Sequence, residues 1–206
     1  MKLIISIIVL ILLLIYFLKK KNVEKFNSYD SKIYLIPNSL KVKKKIIFNL
    51  SKNENNILVF FNHCGPLKNF SITDLKKLKC KTLLFLRANH NRSYWGKREY
   101  EKQKYKIFNS YNTYIIPSKN AEMEKINNKH NFKIISFKNL IKDYPKKKEP
   151  QTGFIAYHYL KDIYPNINIT LVGFDRKHGE ADADWYHEKT YELDYYKRNN
   201  VNNINL

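Results

Sequence analysis

The chain has 206 residues, with 38 Lys and Arg against 18 Asp and Glu and a formal charge of +20. An aromatic share of 15%, including 16 Tyr and 12 Phe, excludes a disordered polyelectrolyte, because that much ring area calls for a packed core. Two cysteines exclude a disulfide framework and match no zinc-ligand spacing, which leaves at most one Cys64–Cys80 bridge in an oxidising compartment. The charge directs the protein toward polyanions, anionic membranes or anionic small substrates without choosing among them. The excess is nearly all Lys in a chain also rich in Asn, Ile and Tyr, a composition that AT-rich codon usage produces equally well.

Residues 3–18 read LIISIIVLILLLIYFL, with Lys2 before them and Lys19-Lys20-Lys21 after. As a helix this run spans roughly 24 Å against about 30 Å of hydrocarbon, and snorkelling lysines make up part of the difference. It has no polar face, and no small-residue cleavage site follows it. We therefore expect a single-pass membrane anchor over 1–21, a basic stem over 22–45 and one catalytic-type domain over 46–206. The side of the membrane stays open. Lysine after the span favours a cytoplasmic domain, whereas Asn-x-Ser/Thr triplets at Asn69, Asn91 and Asn168 are acceptors only in a lumen.

Within the stem, Ile33-Tyr34-Leu35-Ile36 before Pro37 reads as a lead-in. The run from Asn56 to Phe61 predicts a central strand that stops in the polar turn Asn62-His63-Cys64-Gly65-Pro66. Ser71 suits the cap of a short helix carrying Leu75 and Leu78. Further strands are expected at 82–86, 113–116, 132–135 and 167–172, with helices over 121–128 and 152–164. Strands alternating with helices point to a mostly parallel sheet in a three-layer α/β/α, Rossmann-like arrangement. Ligands in such sheets sit beyond the carboxyl ends of the strands, where Asn62, His63, Arg87, Asn89 and Asp175 fall.

Several residues in those positions suit chemistry. Thr152 and Gly153 sit where a helix begins: the Thr hydroxyl either caps the first turn or binds a ligand, and the bare Cα of Gly153 leaves room for a phosphate or sugar to approach free backbone N–H groups. Arg87 suits a bidentate grip on a carboxylate or phosphate. Gly173 and Asp175 close a buried strand, where the glycine allows a sharp exit and the Asp either contacts a ligand or caps the turn. His158, inside a helix, reads as structural. Tyr94-Trp95-Gly96 reads as an aromatic loop that stacks a base or sugar or packs on the core. His63 and His90 are further polar candidates. The segment 178–192, HGEADADWYHEKTYE, holds the densest acid and imidazole cluster. A neutral imidazole there suits proton abstraction from a hydroxyl, with Glu188 or Glu192 as its orienting carboxylate. A divalent-metal site from His178, Glu180, Asp182, Asp184 and His187 is the rival reading, although the spacing fits no calcium loop.

The same residues carry a resemblance. Ile57-Leu58-Val59-Phe60-Phe61-Asn62 with Leu84-Phe85-Leu86-Arg87-Ala88-Asn89 resembles the long sialylmotif. Pro150-Gln151-Thr152-Gly153 with Ile169-Thr170-Leu171-Val172-Gly173-Phe174 resembles the short one, and His187 to Glu192 the terminal one. Over roughly residues 55–192 the chain thus resembles a small, divergent member of glycosyltransferase family 29, the sialyltransferases of eukaryotic type. It departs from that pattern by carrying Phe61 where the family has glycine. It also has no Cys beyond Cys80 for the family's disulfide, and it is shorter.

The resemblance implies a GT-A-variant-like fold and inverting transfer of sialic acid or a related acidic sugar from a CMP-linked donor to a glycan hydroxyl. His187 would be the general base beside Glu188. Asn62, Arg87, Asn89, Thr152, Gly153, Gly173 and Asp175 would hold the donor. The expected partners are the nucleotide-sugar donor, the glycan acceptor and the membrane, with no metal or other cofactor needed. No recognition-helix or finger pattern is present, so nucleic acid is not expected. The alternatives are a membrane-anchored, metal-dependent transferase and a non-enzymatic polyanion-binding protein.

Overall fold

Apolar runs without a polar alternate predict strands covered on both faces, and the sheet is built that way. In the computed structural model the described residues are 30–39, 41–62, 64–67, 70–88, 112–117, 133–136, 140–145, 148–174 and 189–206. The strands are β1 (Lys32–Ile36), β2 (Ile57–Phe61), β3 (Lys81–Ala88), β4 (Thr113–Pro117), β5 (Lys133–Ile134), β6 (Asn168–Val172) and β7 (Asn202–Ile204). They form one seven-stranded sheet in the order β5-β4-β3-β2-β1-β6-β7, with every pairing parallel.

The period-two alternation of strand side chains divides each run between two cores. Ile33, Leu35, Ile57, Val59, Phe61 and Phe85 face one side. Tyr34, Ile36, Leu58, Phe60, Leu84 and Leu86 face the other. The helices divide in the same way. α1 (Lys44–Leu50), α2 (Ile72–Lys76) and a 3-10 turn at Gly65–Leu67 cover the second face through Ile47, Leu67 and Leu75. α3 (Thr152–Ile163) and α4 (Lys189–Arg198) cover the first through Phe154, Ile155, Leu160 and Tyr196. The chain steps outward from β1 to β5 and then returns beside β1 as β6. The neighbours β1 and β6 therefore send their connections to opposite faces, which makes their carboxyl ends the switch point of the sheet.

One expectation needs correcting. Residues 32–36, read from sequence as a lead-in within the 22–45 stem, form the strand between β2 and β6, and Ile33, Leu35 and Ile36 are fully buried. Four apolar residues ahead of a proline are too short a run to announce a central strand until β2 and β6 flank it. β7 carried no signal at all, because Asn202, Asn203 and Ile204 are exposed and its pairing with β6 is a matter of backbone. The helix expected over 121–128 lies outside the described residues.

Local chemistry fixes the smaller elements. Ser71 caps α2: its Oγ accepts from Asp74 N at 3.1 Å, and Asp74 Oδ2 accepts from Ser71 N at 2.9 Å, a reciprocal capping box. Lys44 of α1 donates to the same carboxylate, and together these donors hold Asp74 well below the usual carboxylate range. Cys64 and Cys80 are both free thiols buried in the second core, and burial pushes Cys80 up to about 11, so it is an inert packing residue. On the other face α3 meets α4 through aromatic rings. His158 sits among them, its ring centroid 4.6 Å from Phe154 and 4.8 Å from Tyr195, as the structural reading expected.

Two outcomes follow from this packing. Leu35→Ala removes a side chain with no solvent exposure and lowers unfolding free energy in urea by about 2–5 kcal/mol, where a stem residue would change it by about 0.5 or less. Burial also pushes His158 down to about 4 from its ordinary 6.5. Between those values the unfolded chain takes up a proton that the folded chain refuses. The contribution of His158 is thus complete above pH 6.5 and is lost as pH falls through 4. Titrating thermal stability of His158→Phe beside the parent shows a shallower acid decline in the variant over that window.

Candidate functional site

The carboxyl end of β2 is where the sheet turns from packing to polar chemistry. After Phe61 the backbone enters the left-handed region twice, at Asn62 (φ +44°) and Cys64 (φ +47°). Asn tolerates that region better than most side chains, and non-glycine residues held there concentrate at functional turns. Gly65 then passes so close to the lead-out of β1 that a Cβ on it would stand 2.3 Å from the Asn38 carbonyl oxygen. The Gly65 N–H donates to Asn38 Oδ1 at 3.2 Å, which ties the exits of β1 and β2 together.

Asn62 joins three elements. Its backbone N–H donates to the Phe85 carbonyl at 2.9 Å, and its Oδ1 accepts from the Arg87 N–H at 2.8 Å, both on β3. Its Nδ2 donates to Thr152 Oγ1 at 3.4 Å, at the start of α3. Arg87, near the end of β3, reaches toward the loop before α3. Its guanidinium pairs with the buried Glu149 carboxylate and donates to the Pro150 carbonyl at 3.4 Å. The Arg expected to grip an anionic ligand is thus engaged by a carboxylate of the protein itself.

The helix start differs in detail from the sequence expectation. Gln151, not Thr152, is the N-cap, and its own side chain makes no capping bond to the first turn. The first backbone bond of α3 runs from Ile155 N–H to the Gln151 carbonyl at 3.0 Å, so the N–H groups of Thr152, Gly153 and Phe154 precede the helical ladder. Gly153 was read as room for a phosphate. The volume its missing Cβ would take lies 3.3 Å from the Phe174 ring and 3.8 Å from Phe61, so the bare Cα lets the helix start close onto the tips of β2 and β6. Gly173 adopts φ +68°, its N–H donates to the Ile204 carbonyl at 2.8 Å, and Leu206 covers its bare side.

Glu192 was one of two carboxylates considered as an orienter of the base. In the structure it is 4% exposed on the first turn of α4, and its Oε1 accepts from Tyr144 Oη at 2.9 Å and from Gln151 N–H at 2.8 Å. It ties the beginning of α4 to the beginning of α3. The tips of β2, β3 and β6 and the start of α3 therefore converge: Asn62 touches Arg87 and Thr152, Arg87 reaches Pro150, and Gly153 meets Phe61 and Phe174. Asn89, Asp175, His187 and Glu188 lie outside the described residues, as do His63, His90, Tyr94 to Gly96 and the acidic cluster from His178. Among the described residues no group of three or more His, Cys, Asp or Glu could hold a metal ion. Among them, too, no helix is long and apolar enough to cross a membrane, and the 3–18 run lies outside them.

Sequence reasoning missed Asn38, Tyr144 and Glu149, which hold the site together. Glu149 had one available signal: it is the lone acid after Lys146-Lys147-Lys148, directly before the proline that leads into α3. Glu149→Gln removes the buried carboxylate that pairs with the half-buried Arg87 guanidinium and lowers the unfolding free energy by about 1–3 kcal/mol. Adding Arg87→Gln to that variant recovers part of the loss, and denaturant titration of the two single variants and the double measures both effects.

Comparison with known protein families, curated proteins and solved structures found no match to this chain.

Proposed function

We propose that the protein is a membrane-anchored glycosyltransferase of the sialyltransferase type, with a Rossmann-like, GT-A-variant-like fold. It transfers sialic acid or a related acidic sugar from a CMP-linked donor, with inversion, to a glycan hydroxyl. The observation that carries this reading is the meeting of Asn62 with Thr152. Those residues belong to two stretches, ninety positions apart, that resemble the donor-binding motifs of one family. The parallel sheet adds support, since its carboxyl edge is where nucleotides bind in such architectures.

In this mechanism the leaving phosphate meets the first turn of α3, where N–H groups and the helix dipole stabilise developing negative charge. Asn62 and Thr152 orient the donor beside it. Arg87, paired with Glu149, shapes the floor of the site and is not its free cation. His187 takes the proton of the acceptor hydroxyl as that oxygen attacks the anomeric carbon and the bond to phosphate breaks. Support for that role comes from α4, which begins two residues after His187 and is bonded through Glu192 to the N-cap of α3.

Full-length protein in detergent tests the reading. Saturating CMP at about 100 times its dissociation constant adds about 2.7 kcal/mol, which raises the melting temperature by roughly 5–10 °C. UMP, GMP and AMP produce less. His187→Ala retains the CMP shift and loses donor turnover by a factor of about 100 or more. No shift with any nucleotide removes the donor site, and unchanged turnover in His187→Ala removes the base.

A further inference from the structure

Among the described residues, charge is unevenly divided between the helices of the two layers. The α1/α2 segments, residues 43–54 and 71–79, hold seven lysines and two carboxylates, a net of +5. The α3/α4 segments, 152–163 and 189–200, hold four basic and three acidic groups, a net of +1. Codon bias raises lysine everywhere and does not by itself make one layer basic and the other balanced.

The basic layer is also free to act. Lys44 is spent on Asp74, while Lys43, Lys45, Lys52, Lys76, Lys77 and Lys79 are exposed and form no ion pair among the described residues. Among them stands Ile72 on the first turn of α2, at 58% the most exposed large apolar side chain of the described residues. Exposed lysines and a protruding apolar side chain on the helices of one layer match the interfacial zone of a bilayer, where headgroups are anionic and the acyl boundary lies just beneath.

Chain length brings the two together. The apolar run expected to anchor the protein ends at Leu18, and β1 begins at Lys32. The residues between reach at most roughly 45 Å, so the domain is held beside the bilayer at high effective concentration. Contacts too weak to recruit a free protein are then sufficient to orient a tethered one.

We infer that the α1/α2 layer is a docking surface for a bilayer rich in anionic lipid, which orients the domain with α3 and its site turned away from the membrane. This surface rests on the membrane-anchor part of the proposed function and is independent of the transferase part. The site opens at the start of α3, on the opposite layer, so docking leaves it accessible to a donor from solution.

The test is amine-labelling mass spectrometry on the full-length protein in bilayer discs of phosphatidylcholine, with and without about 30% phosphatidylserine. In the anionic discs labelling of Lys43, Lys45, Lys76 and Lys77 falls severalfold, whereas Lys161 and Lys197 on the other layer label equally in both. Roughly 0.5 M salt restores the lost labelling, because screening shortens to about 4 Å. The combined Lys43→Glu, Lys45→Glu, Lys76→Glu and Lys77→Glu variant loses the protection of Lys52 and Lys79. Equal labelling in both discs overturns the inference, as does equal protection of Lys161 and Lys197. Protection by a single-stranded oligonucleotide but not by anionic discs also overturns it, in favour of a nucleic-acid surface.

Discussion

Everything at the carboxyl edge of this sheet hangs on how the start of α3 is held. A helix beginning over strand tips presents backbone N–H groups without helical partners, and the chain leading into it is a polar loop in a buried place. Three ties hold it. Asn62 bonds the β3 backbone and the Thr152 hydroxyl, Arg87 engages Glu149 and the Pro150 carbonyl, and Glu192 takes the Gln151 N–H. They come from β2, β3 and α4, so the helix start is located by both helical and sheet layers. Gly153 completes the arrangement by letting the rings of Phe61 and Phe174 press against the first turn.

These ties divide the charges of the site between structure and chemistry. A buried cation and a buried carboxylate each cost several kcal/mol alone, and pairing Arg87 with Glu149 offsets much of that cost. The same pairing takes the guanidinium out of competition for a ligand's phosphate. What remains for an anion is the amide cluster at the start of α3, whose first turn carries no acidic side chain of its own, while Glu192 takes the N–H of the N-cap. The site is thus electrostatically prepared by backbone, with the side chains used to aim it. Among the described helices the exposed lysines are most numerous on the opposite layer, where Lys44 pairs with Asp74.

Strand content was legible because a parallel sheet covered on both faces demands apolar runs: 57–61 and 83–86 are unbroken, and 169–172 is broken only by Thr170. The capping box at Ser71 and Asp74 was legible in part, since Ser71 announces itself before an apolar pattern. β1 was not, because a short apolar piece bounded by lysines and a proline looks alike in a stem and in a sheet. The role of Glu192 was equally hidden: a helix surface position five residues after a histidine invites pairing with that histidine, and only α3 and Tyr144 supply a different partner.

The sequence by itself determined the class of the fold, the positions of most strands and the polar residues that end them, since each depends on local periodicity and composition. Tertiary structure decided which ends meet. Strand order, the insertion of β1 between β2 and β6, the Arg87–Glu149 pair and the approach of Asn62 to Thr152 depend on contacts between residues far apart in the chain. Such contacts leave no periodic trace, because one well-placed carboxylate or amide satisfies them, and its partner is chosen by the packing of the layers between.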